Sequence, residues 1–237
     1  MPPKIPAGFR AVATFVKPVL TATTRRHWSG EEHLPRDQGF IAVSNHVTYA
    51  DPFTVAHYLY DQGFAPHFLA KASLFEIPVA GKFLASLDHV PVHRGSAQAR
   101  EAVEAAVRLL ERGDSIVVFP EGTLTRDPDM WPMLARTGAA RMALAHNVPV
   151  IPIAQWGAHE LLAPYAKRPR LFPRTDVTVQ AGPPVDLDEF RGRPLDIEVL
   201  RAATDRIMAT LTSMLEEIRG EKAPTKPWDM RRDGGGR

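Results

Sequence analysis

One histidine and one aspartate, placed directly after an apolar stretch, are the residues of this chain best suited to proton transfer. His46 and Asp51 lie in the segment 44–51, which follows the apolar run 40–43. A neutral imidazole takes up a proton at one nitrogen while a carboxylate facing the other N–H fixes its orientation and favours the cation. The pair therefore predicts a general base. A purely structural interpretation is also open, in which Asp51 caps a helix with Pro52 in its first turn and His46 lies on the surface.

The composition restricts the other chemistry that the chain can offer. Its 237 residues, 44% of them hydrophobic, are enough for a substantial core. The chain contains no cysteine. This excludes disulfides, thiolate metal sites and a cysteine nucleophile. The nine histidines include no pair at helical spacing with a glutamate between them, so we expect no metal site.

Polar residues follow several predicted strands at the point where each strand ends. Lys71 follows one candidate strand, Arg94 follows another, and Glu121-Gly122-Thr123 comes soon after the apolar run 115–119. Strand and helix patterns alternate along the chain, which predicts one α/β domain with a mostly parallel central sheet flanked by helices. The carboxyl ends of parallel strands open onto one crevice, so these groups and His46 are expected to gather there.

The first thirty residues are basic and carry no acid, with apolar side chains at helical spacing. This pattern predicts a basic amphipathic helix lying in a lipid interface, and an ordinary helix packed on its own domain is the alternative. No apolar stretch is long enough to span a bilayer. We therefore expect an interfacial segment over residues 1–27, an α/β domain over 28–219 and a disordered tail over 220–237.

Four short blocks resemble, in order and separation, those of the glycerolipid acyltransferase family, whose best known members are 1-acylglycerol-3-phosphate (lysophosphatidic acid) acyltransferases. The resemblance covers roughly residues 28–190. The chain departs from the family pattern at Ser73, where a glutamate is common, and at His93, where Asp, Asn or Ser is more usual. The blocks are Asn45-His46-x4-Asp51, Val92-His93-Arg94, Phe119-Pro120-Glu121-Gly122-Thr123 and Val148-Pro149-Val150-Ile151-Pro152.

The resemblance implies roles for individual residues. His46 would be the general base and Asp51 the residue that orients it. The acceptor's glycerol-phosphate part would be held by the second and third blocks, with Lys71 as a further phosphate ligand. Pro149 or Pro152 would lie near the acyl donor or in the scaffold around it. The two prolines also suggest that their strand lies at a sheet edge or pairs irregularly. The implied substrate-binding residues are Asn45, Lys71, Arg94, Glu121, Gly122 and Thr123.

The resemblance also implies a reaction and its partners. With no cysteine and no Gly-x-Ser-x-Gly motif, the acceptor hydroxyl is expected to attack the thioester directly, with a backbone N–H near Gly122 stabilising the oxyanion. The donor would be acyl-CoA or acyl carrier protein, no cofactor would be needed, and the acceptor would be 1-acylglycerol-3-phosphate, giving phosphatidic acid. Another lysolipid or glycolipid acceptor, and a non-catalytic lipid-binding protein, are the alternatives. We expect a peripheral protein on anionic lipids at the cytoplasmic face of the cell membrane, without nucleic acid.

Overall fold

The computed structural model describes residues 5–92, 99–230 and 232–234. Arg94 and His93 therefore lie outside the described residues. The strands are β1 (Thr24–Ser29), β2 (Phe40–Ser44), β3 (Pro66–Lys71), β4 (Val90–Val92), β5 (Ser115–Val118), β6 (Val150–Trp156) and β7 (Thr175–Ala181). The helices are α1 (Ala7–Thr23), α2 (Asp51–Asp61), α3 (Pro78–Ser86), α4 (Ala99–Glu111), α5 (Gly138–His146), α6 (Ala158–Leu161) and α7 (Ile197–Arg219).

The strands of the described residues form one sheet in the order β1-β7-β6-β2-β5-β3-β4. All neighbouring pairs are parallel except β6 and β7, which are antiparallel. The predicted α/β class with a mostly parallel sheet is confirmed. In the register, Ile41 of β2 lies opposite Ile116 of β5 and Val150 of β6, so the three strands end close together.

Strand β2 is completely buried because helices cover both faces of the sheet. Its alternate residues enter different apolar clusters: Ile41 and Val43 face α4, α5 and α7, whereas Phe40 and Ala42 face α2. A strand buried on both sides reads as a continuous apolar run without alternation. The central position of β2 makes its carboxyl end a rigid support for the residues that follow.

Strand β6 lies inside the sheet between β7 and β2. Of the two alternatives that its prolines suggest, a sheet edge or irregular pairing, the sheet edge is therefore wrong. Pro152 pairs with Val43 of β2, and its carbonyl accepts the Gly182 N–H at 2.8 Å. The antiparallel pairing with β7 begins one residue later, at Ile153. The missing N–H of Pro152 therefore falls just outside the ladder with β7.

Helix α1 packs one apolar face against its own domain and leaves other apolar side chains outside. Phe9 is buried, edge-on to the rings of His67 and His89 with centroids 5.0 and 6.0 Å away. Phe15 and Val19 are 77% and 55% exposed. The helix is therefore packed on its own domain along one face, as one sequence interpretation expects. The contact of its exposed apolar side chains with lipid, which the other interpretation expects, stays a prediction.

The predicted domain boundaries also stay predictions, although the structure gives two facts about the ends of the domain. Residues 24–27 belong to β1 and pair with β7. In the region after α7, the Trp228 carbonyl accepts the Leu134 N–H at 2.9 Å. Among the described residues, no helix combines the length and apolar character needed to cross a membrane.

Candidate active site

His46 and Asp51 form a hydrogen-bonded pair in the turn between β2 and α2. The distance between His46 Nδ1 and Asp51 Oδ2 is 3.0 Å. Because a carboxylate only accepts, the imidazole donates its Nδ1–H, and Nε2 keeps the lone pair. The Asp51 side chain is 2% exposed and that of His46 is 15% exposed. A neutral His46 can therefore take up a proton at Nε2, supported by a buried carboxylate.

Asp51 holds the turn rather than capping the helix. Its Oδ2 also accepts the backbone N–H groups of Val47 at 2.5 Å and Thr48 at 2.8 Å. Helix α2 begins at Asp51 itself, and its cap position is Ala50, which makes no side-chain cap. The helix-cap interpretation of Asp51 is thus wrong. The carboxylate points back into the loop, where it fixes the backbone of the two residues that follow His46.

The segment after β5 packs directly on His46. The His46 ring stacks on Phe119, with ring centroids 4.1 Å apart and planes inclined by 19°. The His46 carbonyl accepts the Thr125 N–H at 2.7 Å. Because β5 and β2 are parallel neighbours, the first and third sequence blocks meet at the same edge of the sheet.

Glu121 lies beneath the backbone of the base. One carboxylate oxygen accepts the His46 N–H at 3.2 Å and the other accepts the Met133 N–H at 3.0 Å. The residue is 1% exposed. Burial raises the pKa of this carboxyl to about 8, although the two N–H bonds act in the opposite direction. The structure shows a support for the His46 backbone, and contact between Glu121 and an acceptor stays a prediction.

Asn45 is also buried, and its side-chain amide is occupied by one residue of β6. Its Oδ1 accepts the Gln155 N–H at 3.0 Å, and its Nδ2 donates to the Gln155 carbonyl at 2.9 Å. Asn45 is 1% exposed. These contacts bind Asn45 to the scaffold, and a contact with substrate stays a prediction.

Gln155 is a site residue that sequence analysis missed, and its only sequence signal is an amide near the end of an apolar strand.

An apolar cavity of about 690 Å³ opens beside the base. Its volume is typical of pockets for small organic ligands. Side chains from α1, α2, β3 and α3 form most of the wall, including Phe9, Val16, Tyr60 and Phe83. Helix α1 is therefore part of this site. The predicted site residues on the cavity wall are His46, Lys71, Gly122 and Thr123.

Among the predicted residues that the structure describes, the others do not line this cavity. Pro149 directly precedes β6, at the end of the strand opposite to His46, and Pro152 lies within the strand. Their link to an acyl donor stays a prediction. Gly122 has φ +74°, which explains a glycine at this position. Its own N–H donates to the Phe119 carbonyl at 2.9 Å and is therefore not free for an oxyanion.

This arrangement suits the deprotonation of a hydroxyl at the edge of an apolar binding space. The Nε2 of a neutral His46 can accept a proton, and Lys71 lies on the same cavity wall. The catalytic role of His46 and the phosphate-binding role of Lys71 stay predictions. No group of three or more His, Cys, Asp or Glu side chains placed to hold a metal ion occurs in the part of the chain that the structure describes.

Several proteins of known activity have similar sequences. A 1-acyl-sn-glycerol-3-phosphate acyltransferase of Bacillus subtilis is 25% identical over 202 residues, which are 84% of this chain and 92% of that protein. The corresponding enzyme of Limnanthes douglasii is 29% identical over 70% of this chain and 57% of its own length. The chloroplastic enzyme BAT2 of Brassica napus is 31% identical over 56% of this chain, but the match spans only 38% of that longer protein.

A solved structure shares the fold. The 1-acyl-sn-glycerophosphate (LPA) acyltransferase PlsC from Thermotoga maritima has a TM-score of 0.65 and 24% identity, over 91% of this chain and 81% of that one. The family model described as Acyltransferase matches residues 25–156, which include β2, β5, most of the cavity wall and the His46–Asp51 pair. The chain therefore belongs to the acyltransferase family.

Proposed function

We propose that this protein is a membrane-peripheral O-acyltransferase that moves a fatty acyl chain from acyl-CoA or acyl carrier protein to the free hydroxyl of 1-acylglycerol-3-phosphate. The observation that carries the proposal is the Nδ1–H···Oδ2 pair of His46 and Asp51 on the wall of an apolar cavity. The names of the relatives support the acceptor, because they are 1-acyl-sn-glycerol-3-phosphate acyltransferases.

The proposed reaction is direct transfer. His46 Nε2 takes the proton of the acceptor hydroxyl as its oxygen attacks the thioester carbonyl carbon. The tetrahedral intermediate then collapses, the carbon–sulfur bond breaks, and the imidazolium gives its proton to the departing thiolate. The products are the new ester and the free thiol. The Asp51 carboxylate favours the imidazolium that exists between the two proton transfers.

The two substrates divide the site according to their polarity. The apolar cavity wall suits a fatty acyl chain, whose burial is favourable in proportion to the apolar area removed from water. Lys71 serves as a point charge for the phosphate, and Arg94 serves as a bidentate fork. Coenzyme A or acyl carrier protein remains outside the cavity. No resident cofactor takes part, because the acyl donor supplies the activated carbonyl.

Membrane contact is proposed on the side where the cavity opens. Tyr49 and Phe53 of the α2 region and Phe83 of α3 line the cavity and are 52%, 51% and 44% exposed. Phe15 and Val19 extend the apolar surface along α1. Basic residues in the first thirty positions would attract anionic lipids of the cytoplasmic leaflet. A lysolipid could then enter the cavity without crossing water.

The decisive experiment is His46→Ala with labelled acyl-CoA and a panel of lysolipids, some with a phosphate headgroup and some neutral. We expect transfer to the phosphate-bearing lysolipid by the parent, and a loss of ~10²-fold or more in kcat for the variant. His27→Ala is the matched control, because His27 forms an exposed pair with Asp176 at 2.8 Å. Near-parental activity of folded His46→Ala would refute the base assignment. A parent that binds lipid without transferring an acyl group would instead be a lipid-binding protein.

A further inference from the structure

We propose that Gln155 is a positioning residue for the catalytic pair, which acts by joining the residue before His46 to the helical turn that carries Asp51. Gln155 lies near the carboxyl end of β6 and is 1% exposed. The inference rests on the proposed function, since it concerns the geometry of the proposed base.

The first part of the argument is a reciprocal clasp between Asn45 and Gln155. The side chain of Asn45 binds the backbone N–H and carbonyl of Gln155, as described above. In return, Gln155 Nε2 donates to the Asn45 carbonyl at 3.2 Å and lies 3.4 Å from Ser44 Oγ. Strand β2 ends at Ser44, so these bonds continue the pairing with β6 by one residue beyond the strand. The next residue in the chain is His46.

The second part is the contact of Gln155 with helix α2. The Thr54 hydroxyl lies 2.5 Å from Gln155 Oε1 and 2.9 Å from the carbonyl of Asp51. Its single proton has both acceptors within reach. The Asn45 carbonyl can only accept, which places Nε2 of Gln155 toward Asn45 and Oε1 toward Thr54. One amide side chain thus bridges the two ends of the catalytic turn.

The energetic consequence follows from the burial of all these groups. A buried polar group that loses a hydrogen-bond partner keeps the cost of its removal from water without the compensating bond. If the Gln155 amide is removed, the Thr54 hydroxyl keeps the Asp51 carbonyl at 2.9 Å and the Asn45 carbonyl keeps the Ser44 hydroxyl at 3.4 Å, but both of these contacts are local. The link between the segments that carry His46 and Asp51 is then lost, and the two segments can move relative to each other. A misplacement of about 1 Å at a catalytic group can lower a rate by ~10²-fold.

The test is Gln155→Leu, which keeps most of the side-chain volume and removes the amide. We expect kcat of the folded enzyme to fall at least ~10-fold while KM stays within about two-fold, because the residue does not line the cavity. Ile151→Val is the matched control, since Ile151 is fully buried on the same strand and faces the α2 side of the core. It should lower the melting temperature without changing kcat of the folded enzyme.

A second pair of variants tests the other end of the bridge if Gln155→Leu does not fold. Thr54→Val removes the hydroxyl that binds Gln155 and should lower kcat in the same way, whereas Thr54→Ser keeps the hydroxyl and should restore the parental kcat. Equal kcat values for Thr54→Val, Thr54→Ser and the parent would overturn the proposal. The proposal would also be overturned if the loss of activity in Gln155→Leu were fully explained by the fraction of unfolded enzyme, as is expected for Ile151→Val.

A readout without substrate separates this proposal from the proposed function. The ¹⁵N NMR signals of the His46 imidazole can be assigned because they are absent in His46→Ala. They should show a single Nδ1–H tautomer in the parent and a mixture of the Nδ1–H and Nε2–H tautomers in Gln155→Leu. Unchanged His46 signals in the variant would refute the positioning role, whether or not the parent transfers acyl groups. A parent without transfer activity, but with signals that change as expected, would refute the proposed function alone.

Discussion

The charge of Asp51 can be removed with little change in its shape. An asparagine at this position can still place an oxygen where Oδ2 accepts the N–H groups of Val47 and Thr48. It can also accept the Nδ1–H of His46. The substitution Asp51→Asn therefore keeps the loop contacts and removes the negative charge that favours the imidazolium.

The size of the effect follows from the geometry. The Nδ1–Oδ2 distance is 3.0 Å, so the centres of the two charges lie ~4 Å apart. At an effective dielectric constant of about 20, two unit charges at this separation attract each other by about 4 kcal/mol. Since about 1.4 kcal/mol corresponds to a tenfold change in rate, Asp51→Asn should lower kcat by ~10³-fold.

The assay is acyl transfer at saturating substrate between pH 6 and pH 9, with the folded fraction measured by circular dichroism. Asp176→Asn is the matched control, because Asp176 lies beside His27 in an exposed pair and should leave kcat unchanged. Asp51→Ala should in addition lose stability, because two backbone N–H groups lose their acceptor. A kcat for folded Asp51→Asn within tenfold of the parent would refute this reasoning.

Two other predictions concern stability and membrane binding. The pKa of Glu121 is raised from 4.5 to about 8, so between these pH values the folded state keeps a proton that the unfolded state has lost. The free energy of unfolding should therefore fall as pH rises, by up to about 1.4 kcal/mol per pH unit. Urea titrations of Glu121→Gln at several pH values should not show the part of this decrease that comes from Glu121. An equal decrease of the unfolding free energy with pH in the parent and the variant would contradict the prediction. Phe15→Asp should weaken binding to anionic liposomes, whereas Ala209→Asp on the exposed side of α7 should not; equal loss would argue against α1 as the membrane contact.

Local patterns were sufficient for the fold class and for the elements around the base. The runs 40–43 and 115–119 predict strands because a strand covered on both faces is apolar throughout. Strand β1 was not predicted, because it is a short, basic and mostly exposed segment that gains its order from parallel pairing with β7. The prolines of β6 suggested an edge, but pairing beyond Pro152 depends on where β7 ends.

The types of the candidate site residues, their order and the layered α/β architecture can be predicted from the sequence, since they depend on side-chain chemistry and on periodicity along the chain. The groups that support His46 are visible only in the folded structure. Asp51 binds loop N–H groups instead of capping α2, Glu121 lies under the backbone of His46, and Gln155 joins Asn45 to Thr54. The Glu121 and Gln155 contacts connect residues far apart in the chain. They are set by strand order and register, which local patterns do not determine.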